Sequence, residues 1–265
     1  MNAQINFQNK ICLITGAGSE TGIGFATAKI MGSLGAKLLL VATSQRIYNR
    51  ADELKKIGID ADGFIADLMD RKQVKSLIDS ILLKYGKVDI LINNAGMVQV
   101  GSEEVFSSFS EITDDDWDLT ISRNLTICYN VTHALIKSMI TNNYGRIVNV
   151  SSVTGPIVSN PGESAYSAAK AAVIGMSKAI AIEVAKNNIM INNVLPGWIS
   201  TGSQTEQEAA ASLNTPVGRG ARPEEVGHMI AFLASEQASY ITGQSFIVDG
   251  GNTLQEYKGP SELYY

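Results

Sequence analysis

At 265 residues, 45% of them apolar, the chain can bury one large core or two small ones. A net charge of −5 argues against a nucleic-acid groove or a site for an anionic membrane surface. The two cysteines, Cys12 and Cys128, have no metal-ligand spacing and read as small buried apolar residues in a reducing compartment. No signal-peptide pattern opens the chain and no apolar run would span a bilayer, so the expected location is the cytoplasm, with no membrane partner.

In chain order, residues 10–15 (KICLIT) form a short apolar strand that runs into a Gly-rich turn, Gly16 to Gly24, and then a helix over 25–35. Glycines let backbone approach a pyrophosphate, and a helix N-terminus offers free N–H groups and the positive end of a dipole. Gly16, Ser19, Gly22, Ile23 and Gly24 are therefore candidate cofactor contacts. Residues 37–43 (KLLLVAT) are the second strand, which makes a parallel βαβ unit with the first. An NAD site usually places a carboxylate at the end of this strand. Here Thr43, Ser44 and Arg46 stand instead, a set able to hold a 2′-phosphate, so NADP(H) is favoured and NAD(H) stays open. Glu20 in the loop is a counter-signal, and Arg46 has a plainer reading as a solvated residue opening the next helix, over 48–57.

Residues 62–66 form a third strand, closed by Asp67 and Leu68. Asp67 can accept from an adenine amino group, cap the following helix, or do both. Residues 88–92 form a fourth strand, ending in Asn93 and then Asn94, Ala95 and Gly96, small enough for a ribose to lie on the backbone. Residues 97–112 have no clear period and read as an excursion on the rim. Thr113 caps a long helix over 115–139 that carries Asn124 in its interior, where Asn is a poor helix former.

Residues 147–150 form an apolar, β-branched strand buried on both faces, ending at Ser151 and Ser152. After a polar loop, an Ala-rich helix carries Tyr166 and Lys170. Positions i and i+4 share a helix face, so phenol and ammonium can serve one spot, and Ser152 can reach it from the strand end. A nearby cation favours phenolate, which suits proton exchange with a carbonyl or alcohol. Ser152 can hydrogen-bond the oxygen on which charge develops. Tyr-x-x-x-Lys alone is a weak signal; its context carries the weight. Residues 189–195 form a sixth strand, followed by Pro196, Gly197, Trp198 and Ile199. A polar segment up to Arg219 reads as a lid. A helix over 223–235, a last strand over 245–248 and a tail with exposed aromatics, read as a subunit contact, complete the chain. His133 and His228 lack partners at ligand spacing, and no metal site is expected.

Taken together, the loop from Thr15-Gly16 to Gly22-Ile23-Gly24, Asp67, Asn93-Asn94-Ala95-Gly96, Asn124, Ser152, Tyr166-x-x-x-Lys170, Pro196-Gly197 and the stretch from Thr242 to Gly251 form one ordered set. By that set the chain resembles the classical short-chain dehydrogenases/reductases over nearly its whole length, nearest the β-ketoacyl carrier-protein reductase-like group. It departs in a Gly-rich loop two residues longer than the usual pattern and a Ser152–Tyr166 loop one residue longer. The resemblance implies Tyr166 as acid/base, Lys170 lowering its pKa and holding the nicotinamide ribose, Ser152 polarising the carbonyl, and Asn124 anchoring a water in the relay. Gly16, Ile23, Asp67, Asn94, Gly96 and Ile199 would line the cofactor.

The expected fold is a single doubly wound α/β (Rossmann) domain over 1–265, with a parallel sheet of about seven strands. The expected activity is NADPH-dependent interconversion of a small ketone or aldehyde and its alcohol, in a homotetramer. A carrier-protein ketoacyl reductase and a non-catalytic nucleotide sensor on the same fold are the alternatives.

Overall fold

The computed structural model describes residues 4–96, 106–256 and 258–259. Most of the rim excursion, 97–105, and the aromatic end of the tail lie outside the described residues.

Seven strands make one sheet: β1 (Ile11–Thr15), β2 (Lys37–Ala42), β3 (Ala61–Ile65), β4 (Ile90–Asn93), β5 (Gly145–Val150), β6 (Ile189–Pro196) and β7 (Ser245–Val248). Their order is β3-β2-β1-β4-β5-β6-β7 and every pairing is parallel. The sheet is doubly wound, and the chain reverses direction across it between β1 and β4, where such sheets open a crevice at the strands' C-terminal ends.

Alternation along the buried strands feeds two cores. Cys12 and Ile14 of β1 join one core, with Phe25 and Met31 of α1 (Ile23–Ser33), Ile47 and Leu54 of α2 (Arg46–Lys56), and Val226 and Ile230 of a helix near the C-terminus. Leu13 faces the opposite way, into a core with Ile78 and Ile81 of α3 (Arg71–Tyr85). Leu135 and Ala181 join that second core from two helices further along the chain. Strands apolar on both faces are what helices packed on either side require.

Asp67 does not cap α3. Its carboxylate accepts from Met69 N–H at 2.9 Å, while Asp70 takes the cap by accepting from the N–H groups of Lys72 and Gln73. Asp70 stands immediately before the first helical residue; Asp67 is one turn too early. The long helix is also not continuous. α4 (Asp114–Ile121), capped by Thr113, passes through a wide π turn at Ser122–Thr126 into α5 (Ile127–Thr141). Asn124 sits in that turn. α6 (Ser164–Val184) follows β5, and the lid segment holds a short helix, α7 (Glu206–Ser212), with Thr205 and Glu208 in a capping box. α7 is anchored through buried Ser212 and Thr215, a polar attachment that an apolar pattern does not reveal. α8 (Pro223–Leu233) begins on a proline, as helices favour.

One polar row, buried except at its β7 end, crosses the sheet under the C-terminal ends. Asn93, Asn149, Asn193 and Ser245 are register partners on β4, β5, β6 and β7. Asn93 donates to Asn149 at 2.8 Å and to Thr132 of α5 at 2.9 Å. Asn149 donates to Ser177 of α6 at 2.9 Å, and Ser177 donates to Asn193 at 2.7 Å. The row locks α5 and α6 to β5, the strand that leads into Ser152. Asn149→Leu leaves Asn93 and Ser177 each short of a partner, at roughly 1–3 kcal/mol per unsatisfied group. Urea unfolding is expected to read a loss of about 3 kcal/mol; a change below about 1 kcal/mol would mean the row contributes no net stability.

Candidate active site

At the crevice lies a cleft of about 950 Å³. Its first part is the turn between β1 and α1. Gly16 has φ +70°, and a Cβ there would stand 2.7 Å from Ala95 Cα. Gly24 is equally constrained, since a Cβ would meet Gly16 O at 2.7 Å and Asn94 Nδ2 at 2.5 Å. Asn94 ties the two loops together by donating to the carbonyls of Thr15 and Gly16, each at 3.1 Å. The α1 cap residue, Gly22, makes no side-chain cap, so no capping side chain claims the first-turn N–H groups, and Gly22 and Ile23 line the cleft.

The second part is the catalytic candidates. Tyr166 and Lys170 lie on one face of α6, with Lys170 Nζ 5.5 Å from the Tyr166 ring centroid. Lys170 is buried, and its ammonium donates to Val150 O at 3.3 Å, at the very end of β5. Ser151 Oγ donates to Lys170 O at 2.9 Å, a second stitch between the same elements. Burial pushes the Lys170 ammonium down to about 8. Ser152 lines the cleft with Tyr166, and its Oγ accepts from Thr154 N–H at 3.0 Å. Asn124 is buried behind Gly96. A Cβ on Gly96 would lie 3.1 Å from Lys170 Nζ and 3.3 Å from Asn124 Oδ1, so that glycine leaves room for both groups. The Asn124 amide donates to Thr120 O at 3.1 Å across the wide turn. Beneath them, burial pushes the Cys128 thiol up to about 12, so it remains a neutral packing group.

Of the residues expected to touch a cofactor, Gly16, Ser19, Gly22, Ile23, Thr43, Arg46, Asp67, Leu68, Asn94, Ala95, Gly96, Tyr166, Lys170, Pro196, Gly197 and Ile199 line the cleft. Gly24 and Ser44 do not, and neither does Asn124, the residue expected in the proton relay. Gly24 packs closely on Gly16 and Asn94. Ser44 Oγ instead accepts from Arg46 Nε at 3.3 Å. Arg46 is both the first residue of α2 and a wall of the cleft. Glu20 is drawn to Arg50 at 3.3 Å, which offsets its charge beside the Gly-rich loop. Sequence reasoning missed Arg123, Glu163, Gln204 and Glu208, which also line the cleft. Their spacing carried no motif; Glu163, three residues before Tyr166, was the one with a legible helical relation to it. Among the described residues no cluster could hold a metal ion, and no helix is long and apolar enough to cross a membrane.

A crevice edged by a glycine-rich turn, with half-buried Tyr166 and buried Lys170 on one helix face beside it, at the open end of a doubly wound sheet, is the layout of a dinucleotide-dependent class of protein. Comparison with known proteins sharpens this. The family model described as enoyl-(acyl carrier protein) reductase matches residues 16–253. The Escherichia coli K12 oxidoreductase UcpA is 40% identical over 259 residues, covering 93% of this chain and 95% of that protein. The Thermotoga maritima 3-oxoacyl-[acyl-carrier-protein] reductase FabG is 39% identical over 253 residues, covering 93% and 99%. A crystal structure of a candidate gluconate dehydrogenase from Agrobacterium tumefaciens superposes with a TM-score of 0.87 at 28% identity, covering 94% of this chain and 99% of that one. The chain belongs to the short-chain dehydrogenase/reductase family. It is an oxidoreductase of a nicotinamide-dependent kind.

Proposed function

We propose that the protein uses NADP(H) to interconvert a ketone or aldehyde and the corresponding alcohol, with Tyr166 as the acid/base. The observation that carries this is the Tyr166/Lys170 face of α6, with the buried ammonium 5.5 Å from the phenol ring and Ser152 on the same cleft. The cleft fits a dinucleotide: Gly16 and Gly24 admit backbone where side chains would collide, and α1 offers uncapped N–H groups for a pyrophosphate. When bound, a reduced nicotinamide supplies the hydride that the carbonyl carbon takes up.

The chain's own residues do the rest. Tyr166 gives its phenolic proton to the carbonyl oxygen, and Ser152 donates a hydrogen bond to that oxygen as charge grows on it. Lys170, cationic below about pH 8, favours the phenolate left behind. Asn124 holds the far side of the Lys170 site and is the residue from which a water-borne proton would return. At the other end Asp67, whose second carboxylate oxygen is not engaged with Met69, would accept from an adenine amino group. Thr43 and Arg46, both on the cleft wall, would hold a 2′-phosphate.

Likeness to the 3-oxoacyl carrier-protein reductase keeps a ketoacyl substrate in view. Against it, Glu163 and Glu208 place two carboxylates on the cleft wall, which disfavours an acidic carrier. A free small carbonyl compound fits better. We place the enzyme in the cytoplasm as a homotetramer; Ile182 on α6 and Ile247 on the outer strand β7 are exposed apolar groups suited to subunit contacts.

The reading is tested by titrating NADPH and NADH against protein fluorescence, then assaying a carbonyl panel with each. NADPH is expected to bind more tightly. Arg46→Ala should weaken NADPH roughly 10- to 100-fold, the worth of a charge-assisted contact, and NADH by less than about threefold. Equal losses for the two cofactors would remove Arg46 from the 2′-phosphate site.

A further inference from the structure

Glu163 occupies the N-cap position of α6, yet its side chain makes no capping bond. It lines the cleft instead. Glu163, Tyr166 and Lys170 are spaced i, i+3 and i+7, one stripe on one helix face. Three residues of helix rise about 4.5 Å, so the carboxylate stands one turn along the cleft from the phenol. Its side-chain partner is Asn160, which donates from Nδ2 to Oε2 at 3.2 Å, and no cation pairs with it among the described residues. Half-burial, with a smaller push from Glu208, holds the carboxyl above its ordinary range. A carboxylate kept at this cost, with acceptor capacity unused, is built for a donor arriving from outside the chain.

The lid adds an independent observation. Gln204 Nε2 is buried, has no partner, and belongs to a residue that lines the same cleft. Nearby, Thr205 and Glu208 are held in their own capping box and take up neither group, so the cleft keeps an amide donor in Gln204 and a carboxylate acceptor in Glu163, with the Arg123 Nε likewise buried and unpartnered. An unbranched acyl chain satisfies neither group. A hydroxyl satisfies both kinds, since it donates and accepts.

We infer that the substrate is a polyhydroxylated ketone or its polyol, and that Glu163 accepts a hydrogen bond from a hydroxyl one or two carbons from the reacting carbonyl. The inference rests on the proposed ketone reduction and names its substrate class. Glu163 is thereby a specificity residue: it contacts substrate and leaves proton transfer to Tyr166.

Matched four-carbon ketones test it, L-erythrulose with three hydroxyls and 2-butanone with none. With NADPH the wild-type enzyme should show kcat/KM for erythrulose at least about tenfold above that for butanone. Glu163→Leu should reduce that ratio by roughly 10- to 100-fold, chiefly through KM, and Glu163→Gln, which keeps an acceptor oxygen, should restore part of it. Erythritol binding to the protein–NADP+ complex, read by fluorescence of Trp198 on the cleft wall, should be weakened in the same order. A wild-type enzyme that prefers butanone, or a ratio unmoved by Glu163→Leu, overturns the inference and leaves ketone reduction standing. Neither ketone being reduced while NADPH still binds counts against the ketone-reduction reading; the inference then falls too unless erythritol binds and Glu163→Leu weakens it.

Discussion

Tyr166→Phe is expected to lower kcat by about 10²- to 10⁴-fold, the usual span for a positioned proton donor, while NADPH affinity changes less than about threefold. The substitution deletes one oxygen and keeps the ring that lies against Lys170 and the cleft, so packing is preserved. Among the described residues, neither of its two neighbours donates as well. Ser152 is a hydroxyl of ordinary acidity and the Lys170 ammonium is turned toward Val150 O. Stopped-flow binding and steady-state turnover separate the two effects. A variant that turns over at the wild-type rate would show that the proton travels by another route.

Lys170→Met is expected to do two opposite things: remove turnover and make the fold more stable. The ammonium sits in a buried site with one carbonyl partner, and burial holds it at about 8. In the unfolded chain it titrates near ~10.4. Between these values the unfolded state binds more protons, so this group's contribution to stability rises with pH across that window. At pH 7 the penalty is fully present, roughly 3 kcal/mol. Losing the hydrogen bond to Val150 O returns about 1 kcal/mol of it, so a net gain of about 2 kcal/mol is expected at pH 7. The gain should shrink above pH 8 and be gone near ~10.4. Denaturant melts of both proteins across that range read the difference directly. A variant no more stable at pH 7, or a difference flat with pH, would show that the fold bears no strain at Lys170. The mechanism needs that strain, because a charge in a poorly solvated site acts strongly on the phenol beside it.

Much of this was legible in the residues because it depends on local spacing. Tyr166 and Lys170 four apart on an Ala-rich stretch can only share a face, and Ser152 after a β-branched run can only stand at a strand end. That the first two strands are parallel neighbours in a doubly wound sheet followed from successive βαβ units. What escaped depends on contacts distant in sequence or on small differences between equivalent residues. Asp67 and Asp70 are both plausible caps, and only the hydrogen bonds to Lys72 and Gln73 decide. Glu20 read as a repulsive charge because Arg50 lies on another element. Asn193 looks like an ordinary strand polar residue until its register with Asn149 is known. Glu163 carries no signal of its own in the sequence, because a failed cap cannot be seen without coordinates.

The wide turn at Ser122–Thr126 has a consequence for the site's tolerance to change. Such a turn amounts to one residue more than a regular helix would hold, so it offsets α4 from α5 by about 100° of rotation. Shortening the segment by one residue would let the hydrogen-bond ladder close and so make a better helix. It would also swing the Asn124 amide off the line it shares with Gly96 and Lys170. Here the better-formed coil would be the poorer enzyme, and chain length, not side-chain identity, is what this position guards.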